Sequence, residues 1–343
     1  MSAEKVTQFP KKTSEMPTLE QIVQATGGWV EKPTHEVFGF DEPFEGKALA
    51  TVKVPRDTSR IPFLVKRNPM IQLERDDVRR LLVARFLRRP VMLNGPKGTG
   101  KTELFEQFHA ALGLPCITVQ CGPGIDSDYL FGRPDLVDGS IGWVDGFATL
   151  ARRFGAGLLF DEMDGLRSNL GPELNGFVVM DKPFTLSGQG FKFGTKAKDL
   201  VVPANEHFFL GASTNTGGKV EGGMDYVGRN PIDQATLDRF YHMDKAYMPT
   251  EKEKEVLQAH CPYLPKSVIE SMVDLAWDMR DAHRGEKVFE PVSLRSLVMW
   301  GQWVECTDDL EEGFKVAVHA QMRDHDAEFA ANLYEQYFRS MQS

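Results

Sequence analysis

The sequence predicts an α/β fold, with a parallel sheet flanked by helices and followed by a small all-α domain. One observation is the alternation of short apolar segments with segments of helical periodicity between residues 91 and 213. Such an alternation is typical of βαβ units. A second observation is a glycine-rich stretch between the first apolar segment and the helix that follows it. A third is the C-terminal part after about residue 250, where every apolar pattern is helical.

Periodicity and turn chemistry assign the individual elements. Strands are expected at 91–93, 115–120, 157–162 and 207–213. Helices are expected at 74–89, 103–112, 171–180, 231–240, 251–260, 267–283, 294–304 and 310–340. Two hairpin insertions are expected, one at 136–144 with an Asp-Gly step between apolar runs and one at 184–193 with its tip at 187–190. We therefore predict an N-terminal arm with short strands (1–60), an α/β domain (61–248) and a helical lid (249–343).

The glycine-rich stretch fits the pattern G-x-x-x-x-G-K-[ST]. A polyphosphate needs many backbone N–H donors at close range, which glycines permit, and a helix N-terminus that attracts anions. Lys101 is spaced to reach the β- and γ-phosphates, and Thr102 to offer its hydroxyl to Mg²⁺. A turn that only joins a strand to a helix has no use for this Lys-Thr pair. We predict that ATP and Mg²⁺ bind here, with the nucleotide held by Gly95, Pro96, Lys97, Gly98, Thr99, Gly100, Lys101, Thr102 and Glu103.

Polar residues end two of the predicted strands. Asp161 and Glu162 close an apolar strand, at the place where open α/β sheets bind ligands. Asp161 is the candidate for the Mg²⁺ shell, and Glu162 for the base that deprotonates an attacking water. The alternative is that these acids only begin a helix. Asn215 follows the next strand and is a candidate for binding the γ-phosphate or the water, the alternative being an ordinary turn asparagine.

Two arginines complete the candidate catalytic set. Arg239 is expected at the end of the short helix 231–240, where the alternative role is to cap carbonyls of its own helix. Arg295 is expected in the first turn of a helix capped by Ser293. A cation at that end opposes the helix dipole, so we expect Arg295 to face some other anion.

Composition limits the partners. The 343 residues carry 40 Lys and Arg against 49 Asp and Glu, a net charge of -9, which gives no overall reason to expect a polyanionic partner. The four cysteines have no C-x-x-C spacing, which indicates reduced thiols in a cytosolic protein. No signal peptide or membrane-spanning run is expected. The arginines of segment 74–89 are interpreted as a solvated helix face, and the apolar pieces 36–40 and 50–54 as the candidate strands of the arm.

The chain resembles the AAA+ ATPases, because the phosphate-binding loop, Asp161-Glu162, Asn215, Arg239 and Arg295 occur in the order of that family. The two hairpins and the sequence Ala-Thr-Leu-Asp-Arg-Phe at 235–240 are similar to the MoxR-like group. Within that group the chain is most similar to the AAA+ subunit of aerobic, ATP-dependent cobaltochelatase. The matching stretches are 35–41, 212–216, 226–228, 232–235, 238–240 and 292–295.

This resemblance implies a hexameric ring with ATP bound between subunits. It implies that Asn215 is the sensor 1 residue, Arg239 an arginine finger that acts on the neighbouring subunit, and Arg295 the sensor 2 residue. It also implies a partner protein with a von Willebrand factor A domain. We therefore predict a cytoplasmic ring ATPase that remodels or activates a partner complex. The most specific form of this prediction is a role in cobalt insertion. The alternative is a nucleic-acid motor or a nucleotide-gated restriction subunit, against which the acidic composition argues.

Overall fold

The computed structural model describes residues 16–137, 139–186, 201–215 and 231–339. Its strands are β1 (Trp29–Pro33), β2 (Thr51–Pro55), β3 (Val91–Asn94), β4 (Cys116–Gln120), β5 (Gly132–Val137), β6 (Ser140–Asp145), β7 (Gly157–Asp161), β8 (Phe184–Thr185), β9 (Val201–Val202), β10 (Phe209–Thr214) and β11 (Tyr241–Asp244). Its α-helices are α1 (Leu19–Ala25), α2 (Thr34–Phe38), α3 (Lys47–Ala50), α4 (Arg75–Phe86), α5 (Lys101–Leu112), α6 (Ser127–Phe131), α7 (Phe147–Phe154), α8 (Gly171–Phe177), α9 (Gln234–Leu237), α10 (Thr250–His260), α11 (Lys266–Arg284), α12 (Leu294–Thr307), α13 (Leu310–Ala317) and α14 (Asp324–Phe338). Among the described helices, none combines the length and the apolar character that crossing a membrane requires.

Five strands form a parallel sheet in the order β11-β3-β10-β7-β4. Val91 lies beside both Gly211 and Tyr241, so β3 is paired on both sides. The three central strands β3, β10 and β7 are almost wholly buried, and α5 covers the sheet through Phe105, whose ring stacks on Phe209 at 5.5 Å between centroids. Because all five strands run in one direction, β3, β7 and β10 end at the same edge. The predicted α/β class is confirmed.

The fifth strand, β11, was not expected from the sequence. The helix predicted at 231–240 is only the single turn α9, after which the chain extends along β3. Leu237, Phe240 and Met243 are all buried. Their spacing of three residues satisfies a helical pattern as well as a turn followed by a strand, so periodicity could not separate the two.

The N-terminal part packs against the α/β domain. β1 and β2 pair antiparallel, the Phe38 ring lies 5.5 Å from that of Phe108 in α5, and Trp29 stacks on His207 at 4.5 Å. The apolar piece 36–40 is not a strand but part of α2 and its cap. Thr34 and Phe38, four residues apart, are both buried on one face of that helix. The same spacing also puts two residues on one face of a strand, so the apolar pattern could not separate the two structures.

The arginines near α4 do not all belong to a solvated face. Arg88, just after the helix, donates to the carbonyl oxygens of Ala204, Asn205 and Glu206 at 2.9–3.3 Å. The predicted solvated face is therefore wrong at Arg88, because the helix ends against the segment that leads into β10. Arg79 and Arg80 are exposed, as expected.

The first predicted hairpin is present but begins at Gly132 and not at residue 136, whereas the second insertion begins at Phe184, as expected. β5 and β6 form a hairpin between α6 and α7. β8 pairs antiparallel with β9, so the described return strand of the second insertion lies at 201–202 and not before residue 193. The predicted tip at 187–190 lies outside the described residues, and so do residues 216–230.

The C-terminal part is helical, but the single helix expected at 310–340 is interrupted. A 3-10 turn at His319–Gln321 separates α13 from α14. Both helices pack on Trp300, whose ring lies 5.3 Å from that of Phe314 and 5.4 Å from that of Phe338. An unbroken helix rises 1.5 Å per residue and would hold these two phenylalanines roughly 36 Å apart. The chain therefore has to turn back for both to reach Trp300.

Candidate active site

The predicted phosphate-binding loop joins β3 to α5. Gly95, Gly98 and Gly100 all have positive φ, and α5 begins at Lys101. A Cβ atom on Gly95 would lie 2.1 Å from the carbonyl oxygen of Lys245, so the backbone passes too close to its neighbour for any side chain. The loop thus has the left-handed turns and the helix N-terminus that anion binding requires. The predicted nucleotide-binding residues, Gly95 through Glu103, all lie in this loop and the first turn of α5.

Lys101 is held at the centre of the loop. Its Nζ donates to the carbonyl oxygens of Gly95 at 2.7 Å and Pro96 at 2.8 Å, and to Asn215 Oδ1 at 2.8 Å. Its exposure is only 7%. The structure therefore brings together the predicted phosphate-binding lysine and the asparagine that ends β10. This contact arises because β10 lies directly beside β3 in the sheet.

A cluster of oxygen atoms lies at the end of β7. Thr102 Oγ1 donates to Asp161 Oδ1 at 2.9 Å, and Ser213 Oγ donates to the same atom at 2.5 Å. Hydroxyl and carboxylate oxygens are the ligands that Mg²⁺ prefers. Burial, and after it the negative charges of Asp161, Asp164 and Glu162, raise the pKa of the nearby Cys121 thiol. The residues present therefore fit a magnesium ion.

Glu162 has an unusual backbone conformation. Its φ of 57° and ψ of 50° lie in the left-handed region, where a non-glycine residue costs about 1–3 kcal/mol. The strand ends sharply here, and the Glu162 N–H donates to Ser213 Oγ at 2.9 Å. Such strain is characteristic of functional sites, and here it turns Glu162 out of the direction of β7.

Two further polar contacts at this edge were not expected from the sequence. Ser213 bridges Asp161 and the Glu162 backbone, and Thr214 Oγ1 donates to Asp164 Oδ2 at 2.9 Å. Thr214 and Asp164 are both fully buried. These contacts join β10 to the end of β7 and to the turn that follows it. The pattern that could have indicated them is the run Ser-Thr-Asn at the end of a strand otherwise made of apolar residues.

The lid lies on the phosphate-binding loop. A Cβ atom on Gly98 would lie 2.6 Å from that of Ser293, the N-cap of α12. Arg295, in the first turn of α12, is close enough to lower the pKa of Glu103. Burial and the charge of Glu106 outweigh that effect, so the Glu103 pKa is raised. Arg295 thus lies near the carboxylate of Glu103, in the first turn of α5.

A buried ion pair connects the lid to the same loop. Arg280 of α11 binds both oxygens of Glu253 at 2.7 Å and donates to the Val292 carbonyl oxygen at 2.7 Å, one residue before Ser293. The Arg280 guanidinium also lies 4.4 Å from the ring centroid of Tyr247, whose hydroxyl donates to the Lys97 carbonyl oxygen at 3.3 Å. Two chains of contacts therefore run from α11 to the phosphate-binding loop.

Arg239 was also predicted as a site residue, but it lies away from the phosphate-binding loop of its own chain. It precedes β11, whose first residue pairs with Val91, the first residue of β3. Lys101 follows the opposite end of β3, and a strand of this length spans about 13 Å. Arg239 donates from Nη1 to Asn175 Oδ1 of α8 at 3.4 Å. Arg239 and the phosphate-binding loop of its own chain therefore lie at opposite ends of strand β3.

Comparisons with known proteins give the family. Residues 90–240 match the family described as AAA domain (dynein-related subfamily), and residues 253–336 match the one described as CbbQ/NirQ/NorQ C-terminal. The chain is 30% identical to protein CbbQ of Hydrogenophilus thermoluteolus, over 71% of this chain and 85% of that protein. The chain belongs to the AAA+ ATPases of the CbbQ/MoxR type. This family implies ATP hydrolysis, and it confirms the predicted resemblance.

Other members of this family are more distant in sequence. The chain is 24% identical to the aerobic cobaltochelatase subunit CobS of Sinorhizobium sp, over 88% of this chain and 89% of that protein. It is 28% identical to the uncharacterized protein YojN of Bacillus subtilis, over 63% of this chain and 67% of that protein. The relation to the cobaltochelatase subunit, which the sequence predicted, is confirmed at this level of similarity.

Proposed function

We propose that this AAA+ chain hydrolyses ATP at sites shared between neighbouring subunits of a homo-oligomeric, hexameric ring, and that the ring remodels a partner protein complex. The observation that carries the proposal is the division of the predicted site. Lys101, Thr102, Asp161, Glu162 and Asn215 meet at one edge of the sheet, while Arg239 lies at the other. A subunit arranged in this way needs a second copy to complete its site.

Each residue has a role in this scheme. Lys101 and the loop N–H groups neutralise the phosphates. Thr102 and Asp161 would hold Mg²⁺, which supplies positive charge to the phosphate oxygens. Glu162 accepts a proton from the attacking water as the new O–P bond forms and the bond to the ADP oxygen breaks.

The remaining polar residues orient or stabilise the groups that react in this hydrolysis step. Asn215 orients the water or the γ-phosphate. Arg295 approaches the phosphates from the lid, which explains a cation in the first turn of α12. Arg239 of one subunit stabilises the charge that develops on the phosphoryl group in the next subunit, an effect worth about 10³–10⁵ in rate.

The partner class comes from the family relation. One relative is named as a subunit of aerobic cobaltochelatase, so the most specific version of the proposal is a motor for metal insertion, with the chelation itself on partner proteins. The partner expected is a protein with a von Willebrand factor A domain. The described part of this chain adds no observation in favour of a nucleic-acid motor.

Two variants test the shared site. Arg239→Ala should bind ATP almost normally and hydrolyse it very slowly, whereas Lys101→Ala should fail to bind it. In a mixed ring, an Arg239→Ala subunit keeps its own binding loop and uses the arginine of a Lys101→Ala neighbour, so ATPase activity should partly return. The finger assignment fails if demonstrably mixed rings stay inactive, or if Arg239→Ala alone hydrolyses ATP at the parental rate.

The client is tested by affinity capture with the Glu162→Gln ring in the presence of ATP. We expect it to retain a protein with a von Willebrand factor A domain, and to release it when ATP is removed. Retention of a nuclease in its place would support the nucleic-acid alternative and contradict the remodelling proposal.

A further inference from the structure

The side chain of Asn175, in α8, forms hydrogen bonds with three residues of the segment that carries Arg239. Asn175 Oδ1 accepts from Thr236 Oγ1 at 2.7 Å and from Arg239 Nη1 at 3.4 Å. Asn175 Nδ2 donates to Asp233 Oδ2 at 3.1 Å. Thr236 is only 1% exposed, so its hydroxyl depends on this partner. The short helix α9 and the arginine after it thus share one amide as a hydrogen-bond partner.

Helix α8 is itself fixed at both ends. Near its start, Ser127 Oγ donates to Glu173 Oε2 at 2.6 Å. At its end, the guanidinium of Arg152 donates to the carbonyl oxygens of Phe177 at 2.8 Å and Val179 at 3.2 Å. Arg152 is completely buried, and burial lowers its pKa to about 10, so it still carries its charge at neutral pH. These contacts hold Asn175 in place.

The same contacts lead to the two hairpins. Ser127 lies in α6, directly before the first hairpin. Arg152 also donates from Nε to the Val202 carbonyl oxygen at 3.1 Å, in the return strand of the second insertion. A displacement at the base of either hairpin therefore acts on α8, and through Asn175 on the position of Arg239.

The chemistry of an amide suits a residue that positions an arginine without trapping it. The amide is neutral, so it accepts from the Arg239 guanidinium without forming an ion pair, and the contact is long at 3.4 Å. A carboxylate at this place would form a charge-assisted pair that competes with the phosphate for the guanidinium. Asn175 therefore orients Arg239 and can still release it.

We propose that Asn175 is a positioning residue for Arg239 and sets the geometry with which that arginine reaches the neighbouring subunit. The proposal rests on the proposed role of Arg239 as a finger acting on the next subunit. A displacement of about 1 Å in a catalytic group costs about 10²-fold in rate. We expect Asn175→Ala to lower kcat by about that factor, with the affinity for a fluorescent ATP analogue within twofold of the parent.

Mixed rings identify which half of the site is damaged. Asn175→Ala should regain activity when mixed with Lys101→Ala, whose arginine is correctly placed, and should not regain it with Arg239→Ala, because every finger is then defective. Gln234→Ala is the matched control, since it removes an exposed amide of α9 that bonds Asp238 at 2.7 Å. We expect parental activity for it.

The outcomes separate this inference from the proposed function. If Lys101→Ala and Arg239→Ala complement each other but Asn175→Ala complements only Arg239→Ala, the asparagine supports the binding loop of its own subunit and the inference is wrong. If Lys101→Ala and Arg239→Ala do not complement each other, the assignment of Arg239 as a finger acting on the next subunit is wrong. Asn175→Asp provides a second variant should Asn175→Ala form no rings. The new carboxylate still accepts from Thr236, but it pairs with Arg239 by charge and repels Asp233. Asn175→Asp should therefore also have a lowered kcat and regain activity only with Lys101→Ala. A parental kcat for Asn175→Asp would overturn the inference.

Discussion

Lys101 Nζ and Asn215 Oδ1 lie 2.8 Å apart, although 114 positions separate them in the sequence. The same ammonium group contacts two carbonyl oxygens of the phosphate-binding loop. A bound phosphate attracts this ammonium, so the contact with Asn215 depends on whether the loop is occupied. Asn215 directly follows strand β10, so we expect this end of the strand to respond to a nucleotide bound in the loop.

The first prediction separates binding from turnover. Lys101→Ala removes the charge that neutralises phosphate and should abolish binding of a fluorescent ATP analogue. Glu162→Gln keeps the shape of the side chain but removes the base, so it should bind the analogue and lose phosphate release. Lys315→Ala, which removes an exposed lysine of α13 paired with Glu311, is the charge-matched control. Turnover by Glu162→Gln at the parental rate would show that the base is misassigned.

The second prediction concerns the ion pair that connects the lid to the loop. Glu253 and Arg280 are 2% and 1% exposed. Arg280→Met leaves a buried carboxylate without its cation, and we expect it to lower the free energy of unfolding by about 3–5 kcal/mol. Replacing both partners, Arg280→Met with Glu253→Leu, should recover part of that loss, because the buried charge is gone although Trp277 Nε1 and the Val292 carbonyl oxygen each lose a hydrogen bond. Urea unfolding followed by tryptophan fluorescence measures all three proteins.

The control for this pair lies on the same helix. Arg284→Met breaks an exposed pair with Asp281 and should change the free energy of unfolding by about 0–1 kcal/mol. An Arg280→Met variant as stable as Arg284→Met would show that the buried pair contributes nothing beyond an exposed one.

The third prediction is a pH dependence of stability caused by His109. This residue is fully buried in α5, and burial lowers its pKa from 6.5 to about 3. Its Nδ1 lies 2.8 Å from the Phe105 carbonyl oxygen and therefore carries the proton of the neutral ring. In the unfolded chain the ring takes up a proton below pH 6.5, and the folded protein does not. Stability is therefore complete above pH 6.5 and decreases as the pH falls, by about 2 kcal/mol between pH 7 and pH 5.

His109→Asn tests this effect, because its amide can still donate to the Phe105 carbonyl oxygen but does not titrate in this range. The variant should lose about 2 kcal/mol less than the parent when the free energy of unfolding is compared at pH 7 and pH 5. The other histidines contribute equally to both proteins. Equal losses in the two proteins would show that His109 is protonated in the folded state.

Much of the candidate site could be assembled from the sequence, because its residues are close together in the chain or directly follow strand ends. The loop from Gly95 to Thr102 is local, and so is the placement of Asp161 and Glu162 after an apolar strand. Parallel strands that end at one edge bring Asp161 and Asn215 to that loop without further information. The same rule did not identify Ser213 or the Asp164–Thr214 contact, because serine and threonine near a strand end occur for many reasons.

What the sequence determined by itself about this protein is therefore the local chemistry: the phosphate-binding loop, the alternation of strands and helices, and the helical lid. Only the tertiary structure decided the contacts between distant segments. It made β11 a strand because its backbone pairs with β3, and it interrupted the last helix because Phe314 and Phe338 both pack on Trp300. It also joined Asn175 to Arg239, across 64 positions. Periodicity reports which side of an element is buried, whereas the partner on that side is chosen by the packing of the whole chain.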